Sequence, residues 1–126
     1  MADPAIQHYM NGLKLYGERK FVEAQAEYRK GLELRPDWTE CLQALGMSQM
    51  NAEQLPEALE TLLQVTKDAP EDPLAFTSLS MIYVRMENID EAEKAQATAR
   101  MLSWKQELKD NPNTPPPDND GMHVTQ

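Results

Sequence analysis

The feature that most constrains this chain is a recurrence of small and large side chains at an interval of 34 residues. The first copy consists of Gly12, Ala24, Tyr28, Gly31 and Pro36. Adding 34 to each number gives Gly46, Ala58, Leu62, Val65 and Pro70, and adding it again gives Ser80, Ala92, Gln96, Ala99 and Trp104. The first two places stay small in every copy, and the proline is kept in two of the three. A fixed period of this length indicates helix–turn–helix units that stack on one another.

This small–Ala–large–small–Pro spacing resembles the tetratricopeptide repeat over roughly residues 5–106. The resemblance implies an all-α fold, a right-handed helix-turn-helix solenoid (an α-α superhelix) of three tetratricopeptide repeats. The repeats are expected at about 5–38, 39–72 and 73–106, within a repeat domain of residues 1–109. Three units are about the smallest number that makes a continuous core.

Prolines and apolar periodicity place six helices along the chain. Pro36 and Pro70 end two of them, because the residue before a proline disfavours helical backbone. The helices are predicted at 5–17, 21–34, 38–51, 55–68, 73–86 and 90–109. No proline stops the last one, since Trp104 stands at that place in the period, so it is predicted to run past the repeat boundary.

Residues 110–126 are rich in Pro, Asp and Asn and show no apolar periodicity, so we expect a disordered tail. Within it, Pro112 and Pro115 have the spacing of a proline-motif ligand. Such matches are frequent in proline-rich tails, and a solvated tail is the plainer interpretation.

The charge balance and the single cysteine narrow the class of protein. There are 21 acidic and 12 basic residues, a net charge of −9 that argues against nucleic acid or an anionic membrane as partner. Cys41 is alone, so no internal disulfide can form. No secretory signal and no apolar run of transmembrane length is found, and a cytoplasmic protein is therefore expected.

No catalytic constellation can be assembled from the sequence. Neither His8 nor His123 has a metal-binding partner at i+3 or i+4, and the five glycines are scattered. We expect neither a metal nor another cofactor, and we expect that the protein is not an enzyme.

The resemblance also implies a ligand groove, because the first helix of each tetratricopeptide repeat lines the concave side of the superhelix. In the 34-residue register this groove is apolar and rich in Met, with Tyr at its N-terminal end. Methionine side chains can repack around different apolar partners. The predicted groove residues are Tyr9, Met10, Leu13, Tyr16, Gln43, Met47, Met50, Thr77, Met81, Val84 and Arg85. The alternative is that these side chains merely pack between neighbouring first helices.

The best-known ligand site of the family is absent from this register. That site is a carboxylate clamp of Lys, Asn and Arg, which holds the acidic C-termini of heat-shock chaperones. The five corresponding places hold Tyr9, Leu13, Ala44, Leu74 and Ser78. The sequence thus favours an apolar or amphipathic ligand, and the architecture resembles that of three-repeat bacterial secretion chaperones, which bind extended peptides.

A second candidate surface lies on the last helix. Its stripe follows a 4-3-4 spacing and consists of Ala97, Met101, Trp104 and Leu108. Repeat arrays normally end in a polar-faced capping element, and none follows here. We rank a second copy of the chain first as its cover, a partner second, and the polar tail last.

Two functions are therefore compared. The first is a protein–protein interaction module or scaffold that binds a peptide or helix in the groove. The alternative is a structural self-assembly protein that forms a homodimer or larger homo-oligomer through the last helix.

Overall fold

The computed structural model describes residues 3–117, and within them it contains α-helices and no β-strand. The helices are α1 (Pro4–Gly17), α2 (Phe21–Leu34), α3 (Thr39–Asn51), α4 (Leu55–Asp68), α5 (Pro73–Arg85) and α6 (Ile89–Asp110). The all-α prediction is confirmed. Each predicted end lies within one residue of the observed one, because prolines and turns mark the boundaries.

The chain divides between Asp68 and Ala69 into two compact units, where the sequence analysis drew one domain. The first unit contains the antiparallel neighbours α1, α2, α3 and α4. The second contains α5, α6 and the segment 111–117 that follows.

In the first unit, the recurring small residues are the places where paired helices approach each other. A Cβ atom at Gly12 of α1 would lie 2.4 Å from Tyr28 Cε1 of α2, closer than real Cβ contacts. A Cβ at Gly46 of α3 would lie 2.7 Å from Leu62 Cδ2 of α4. Both large partners are completely buried. The 34-residue pattern therefore records one close helix contact made twice.

In the second unit, α5 and α6 approach each other at the third copies of the two small positions. Ser80 of α5 and Ala92 of α6 occupy the small positions, and both are buried. The Ser80 hydroxyl donates a hydrogen bond to the Ala92 carbonyl at 2.9 Å. This bond satisfies the buried hydroxyl, which would otherwise destabilise the pair.

The turns inside the three helix pairs share one backbone conformation. Arg19, Glu53 and Glu87, spaced by 34 residues, all have a positive φ of 61–64°. At the first turn the Lys20 amide donates to the Leu15 carbonyl at 2.8 Å, and the two later turns repeat this bond. This is the Schellman arrangement that ends a helix through one left-handed residue.

Candidate functional site

An exposed apolar row runs along α1 in the first unit. Met10 and Leu13 keep 59% and 45% of their surface exposed, and Ile6 is exposed as well. Positions 6, 10 and 13 follow the spacing of one helix face. Tyr9 and Tyr16 flank the row and are half-buried. The four residues of α1 that were predicted to contact a ligand are thus all accessible.

Tyr9 is held in place by an aromatic cluster. Its ring centroid lies 4.8 Å from that of Trp38 and 5.9 Å from that of Tyr28. The Arg35 guanidinium covers the Trp38 ring at 4.5 Å. Burial raises the pKa of the Tyr9 hydroxyl above its usual 10.0. Trp38, the residue immediately before α3, was not among the predicted site residues.

Tyr16 is fixed by a polar contact between α1 and α3. The Asn51 side-chain amide donates to the Tyr16 hydroxyl at 2.6 Å and to the Met47 carbonyl at 3.0 Å. The Tyr16 ring also meets Phe21 edge-on at 5.2 Å. The 34-residue register places Asn51 at the rim of the predicted groove, one period after Gly17, although it was not among the predicted ligand contacts.

On α3, the predicted residues divide between surface and core. Gln43 and Met47 are half-buried. Met50, however, is only 2% exposed, so the expectation that it stays accessible is wrong. A long, unbranched apolar side chain gains about 1.5–3 kcal/mol from full burial, and this favours a place in the core.

In the second unit, α5 carries its own exposed apolar residues. Met81 and Val84 are 43% and 53% exposed, and Arg85 at the helix end is exposed too. Thr77 is half-buried, and its hydroxyl donates to the Pro73 carbonyl at 3.0 Å within the helix. Its predicted role as a ligand contact stays a prediction.

Within the stripe on α6, Trp104 contacts the tail, which was ranked last as a cover. The Trp104 indole N–H donates to the Thr114 carbonyl at 3.0 Å, so the first part of the tail folds back over this residue. Ala97 and Leu108 are half-buried, and Met101 keeps 44% of its surface exposed. The tail was ranked last because it is polar, but a polar segment suits an indole, which needs an acceptor as well as apolar contact. Residues 118–126 of the predicted disordered tail lie outside the described residues.

Possible metal ligands and the thiol of Cys41 are the features of the described residues that bear on catalysis. Among residues 3–117, no cluster of three or more His, Cys, Asp or Glu side chains is placed to hold a metal ion. Burial raises the pKa of the Cys41 thiol to about 11, and its Sγ donates to the Tyr28 carbonyl at 3.4 Å. The thiol is therefore protonated and enclosed at neutral pH.

Across residues 3–117, no helix combines the length and the apolar character needed to span a membrane.

Comparison with known proteins relates the chain to helical-repeat proteins. The model of the tetratricopeptide repeat family matches residues 15–82, more than half of the 126 residues. A pentatricopeptide repeat-containing protein of Arabidopsis thaliana is 31% identical over 107 residues, or 82% of this chain. The chain spans only 15% of the length of that relative.

Three solved structures share the fold at low sequence identity. The type III secretion translocator chaperone SycD of Yersinia enterocolitica, solved as an alternative dimer, has a TM-score of 0.77 at 18% identity, covering 87% of this chain and 84% of its own. PcrH in complex with the chaperone binding region of PopB has a TM-score of 0.76 at 19% identity, with coverages of 82% and 83%. The CopN–Scc3 complex has a TM-score of 0.72 at 21% identity, with coverages of 84% and 67%.

Proposed function

Since the chain belongs to the tetratricopeptide repeat family, we propose that it is a non-catalytic module that binds a segment of another protein. The binding face in the first unit is the exposed row of α1 with the adjoining side chains of α3. Met81 and Val84 of α5 are proposed as further ligand contacts. Its cytoplasmic localisation stays a prediction.

One observation carries this proposal, namely the row Ile6, Met10 and Leu13 on α1. Leaving such side chains in water forgoes roughly 1.5–3 kcal/mol apiece relative to full burial. An apolar row of this kind beside ordered aromatic rings is typical of surfaces that bind protein segments. The rings of Tyr9 and Tyr16 are already positioned by Trp38 and Asn51, which lowers the entropy lost when a ligand binds.

The chemistry of the face favours an apolar or amphipathic segment. Apolar residues spaced by three or four positions on a ligand helix would meet the row with matching periodicity. The structural neighbours support a segment of another protein as the partner, because PcrH was solved with the chaperone binding region of PopB and SycD is a translocator chaperone.

The test is a peptide selection against the full chain. Random peptides displayed on phage are selected on the wild type, and the enriched sequences are synthesised and titrated by calorimetry. We expect amphipathic peptides that bind the Met10→Lys/Leu13→Lys variant at least about tenfold more weakly, a change of about 1.4 kcal/mol or more. The matched control is Val22→Lys/Leu34→Lys, which adds the same charge at two exposed apolar positions of α2.

Equal binding of the selected peptides to both lysine variants and the wild type would contradict the proposed face. Circular dichroism checks that each variant keeps its helices, so that a loss of binding is not a loss of fold.

Self-association is the second candidate function, and the exposed side chain of Met101 on α6 favours it. Two copies related by a two-fold axis would bury the same residue from both sides. Light scattering over a concentration series tests this candidate. A dimer in the wild type and a monomer in Met101→Glu would support it, whereas a wild-type monomer throughout would exclude it.

A further inference from the structure

The segment that follows α6 reverses its direction through a compact turn. The Thr114 amide and hydroxyl both donate to the Asn111 carbonyl, at 3.1 Å and 2.8 Å. The Asn113 amide donates to the Asn111 side-chain oxygen at 3.2 Å. Asn at the first position and Pro112 at the second are the residues that such a turn favours. The turn directs the chain back along the helix that it has just left.

The reversed segment then contacts Trp104, which occupies the place of Pro70 in the third copy of the repeat. Thr114 supplies the carbonyl that accepts the indole N–H at 3.0 Å. Pro115 and Pro117 line an open cleft of about 230 Å³ together with Thr77 of α5 and with Ala99 and Trp104 of α6. Two of the three consecutive prolines thus lie at a surface that presents one aromatic ring and one ring N–H donor.

This combination is a general chemistry for holding proline-rich segments. Proline has no amide N–H, so a proline run can lie on a helix surface without leaving buried donors unpaired. Its fixed φ also means that little backbone entropy is lost on ordering. An aromatic side chain gives the flat contact that such segments require, and an indole N–H gives a hydrogen bond to a backbone carbonyl.

We propose that the α5–α6 face around Trp104 is a binding site for a proline-rich peptide segment, whose resident ligand is the chain's own segment 111–117. The site is distinct from the α1–α3 face. The segment bound here contains the Pro112-x-x-Pro115 motif, which has no role in the function proposed above. The tail occupies the site from the same chain. Trp104 and Thr114 are ten residues apart, which is a short tether.

The tether determines how a free peptide will behave. Even a segment on a short flexible connection has an effective concentration in the millimolar range, and here the connection is the end of α6 and one turn. A free peptide of the same sequence therefore competes poorly in the wild type. It binds readily once the prolines of the attached tail have been replaced.

Nuclear magnetic resonance of the two indole N–H groups tests the proposal in the full chain. The Trp104 cross-peak is assigned by its loss in Trp104→Phe, and Trp38 serves as the internal control. The wild type is compared with the Pro115→Ser/Pro116→Ser/Pro117→Ser variant. Each is titrated with a peptide of residues 111–117 and with the same peptide carrying serine for the last three prolines. Circular dichroism confirms that the helices are unchanged.

We expect the Trp104 indole hydrogen to exchange with water at least about tenfold faster in the triple-serine variant, because its hydrogen bond is then open most of the time. The proline peptide should return the cross-peak to its wild-type position with saturation. The serine peptide should not, and the wild type should need at least about tenfold more proline peptide.

Three results would overturn the proposal: an unchanged Trp104 cross-peak in the triple-serine variant, equal effects of the two peptides, or a response confined to Trp38. A shift of the wild-type Trp104 cross-peak on roughly hundredfold dilution would show that the tail of a second copy fills the site, against occupation from the same chain.

Discussion

Gly12 shows how the absence of one side chain determines the distance between two helices. The space that its Cβ would need is filled by the Tyr28 ring, which is completely buried. Gly46 and Leu62 repeat the arrangement. Small residues at these places are thus required by packing, which is why the 34-residue pattern could be read from the sequence alone.

Gly12→Ala is expected to destabilise the fold by about 1–3 kcal/mol, because the added methyl group overlaps the Tyr28 ring. The matched control is Gly17→Ala, since no atom lies within 4 Å of a Cβ built there. That change should be neutral or should stabilise by up to about 1 kcal/mol, through the smaller entropy of the unfolded chain. Urea denaturation measures both, and equal midpoints would refute the proposed packing.

Cys41 illustrates the opposite case, a reactive residue type made inert by its surroundings. Burial raises the pKa of its thiol from 9.0 to about 11, so the thiolate fraction at pH 8 falls roughly a hundredfold. We predict that a disulfide reagent labels native Cys41 at least about a hundredfold more slowly than it labels the urea-unfolded chain. Labelling of the native protein at the unfolded rate would show that the residue is accessible.

At the scale of the elements, the helices were predictable and the geometry of their turns was not. Proline positions and apolar periodicity mark helix ends directly. The left-handed residues at 19, 53 and 87 carry no such signal, because they are Arg and Glu where Gly or Asn would be expected. The 34-residue period, applied to the turns, indicates that residues 19, 53 and 87 occupy the same place in their repeats, but not which backbone conformation they share.

Glu87→Gly is predicted to stabilise the turn between α5 and α6. A non-glycine residue in the left-handed region costs about 1–2 kcal/mol, and glycine would remove this cost. Part of the stability gained is offset, because glycine has more conformational entropy to lose from the unfolded chain. The expected net gain is about 0.5–1 kcal/mol. Glu87→Val should have the opposite effect, because β-branched side chains tolerate this conformation least. Thermal unfolding measures the stability of both variants. A loss of stability in Glu87→Gly would contradict the left-handed conformation of residue 87.

The pair α1–α2 carries a contact that depends on pH. A ring nitrogen of His8 lies 2.9 Å from Glu27 Oε1, and because a carboxylate only accepts, the ring N–H donates. This hydrogen bond holds the pKa of Glu27 below its usual 4.5. The resulting stabilisation is present above pH 4.5 and is lost as the pH falls through the lower folded-state pKa.

We therefore predict that the free energy of unfolding falls less steeply between about pH 5 and about pH 3 in Glu27→Gln than in the wild type. The control is Glu60→Gln, which removes the same titratable group at an exposed position of α4. Denaturant titrations at a series of pH values make the measurement. If the free energy of unfolding depended on pH with the same slope in the wild type and in Glu27→Gln, the His8 contact would not lower the pKa of Glu27.

At the scale of the whole molecule, the repeat register predicted where a candidate site lies, but it did not predict which residues belong to that site. It placed Met10 and Leu13 correctly on an accessible face of α1, because position within a helix determines which side a residue occupies. It could not show that Met50 is buried. It also missed the return of the tail to Trp104, since that depends on a turn at Asn111 and on a backbone carbonyl.

The most direct test of whether this molecule binds protein segments through the exposed row of α1 is photocrosslinking from that row to a selected peptide. A benzophenone amino acid replaces Leu13 in one protein and Val22, exposed on α2 of the same unit, in another. We predict that the Leu13 position crosslinks the bound amphipathic peptide and that the Val22 position gives only background. Crosslinks from Val22 with none from Leu13 would contradict the assignment of the α1 face as the binding site.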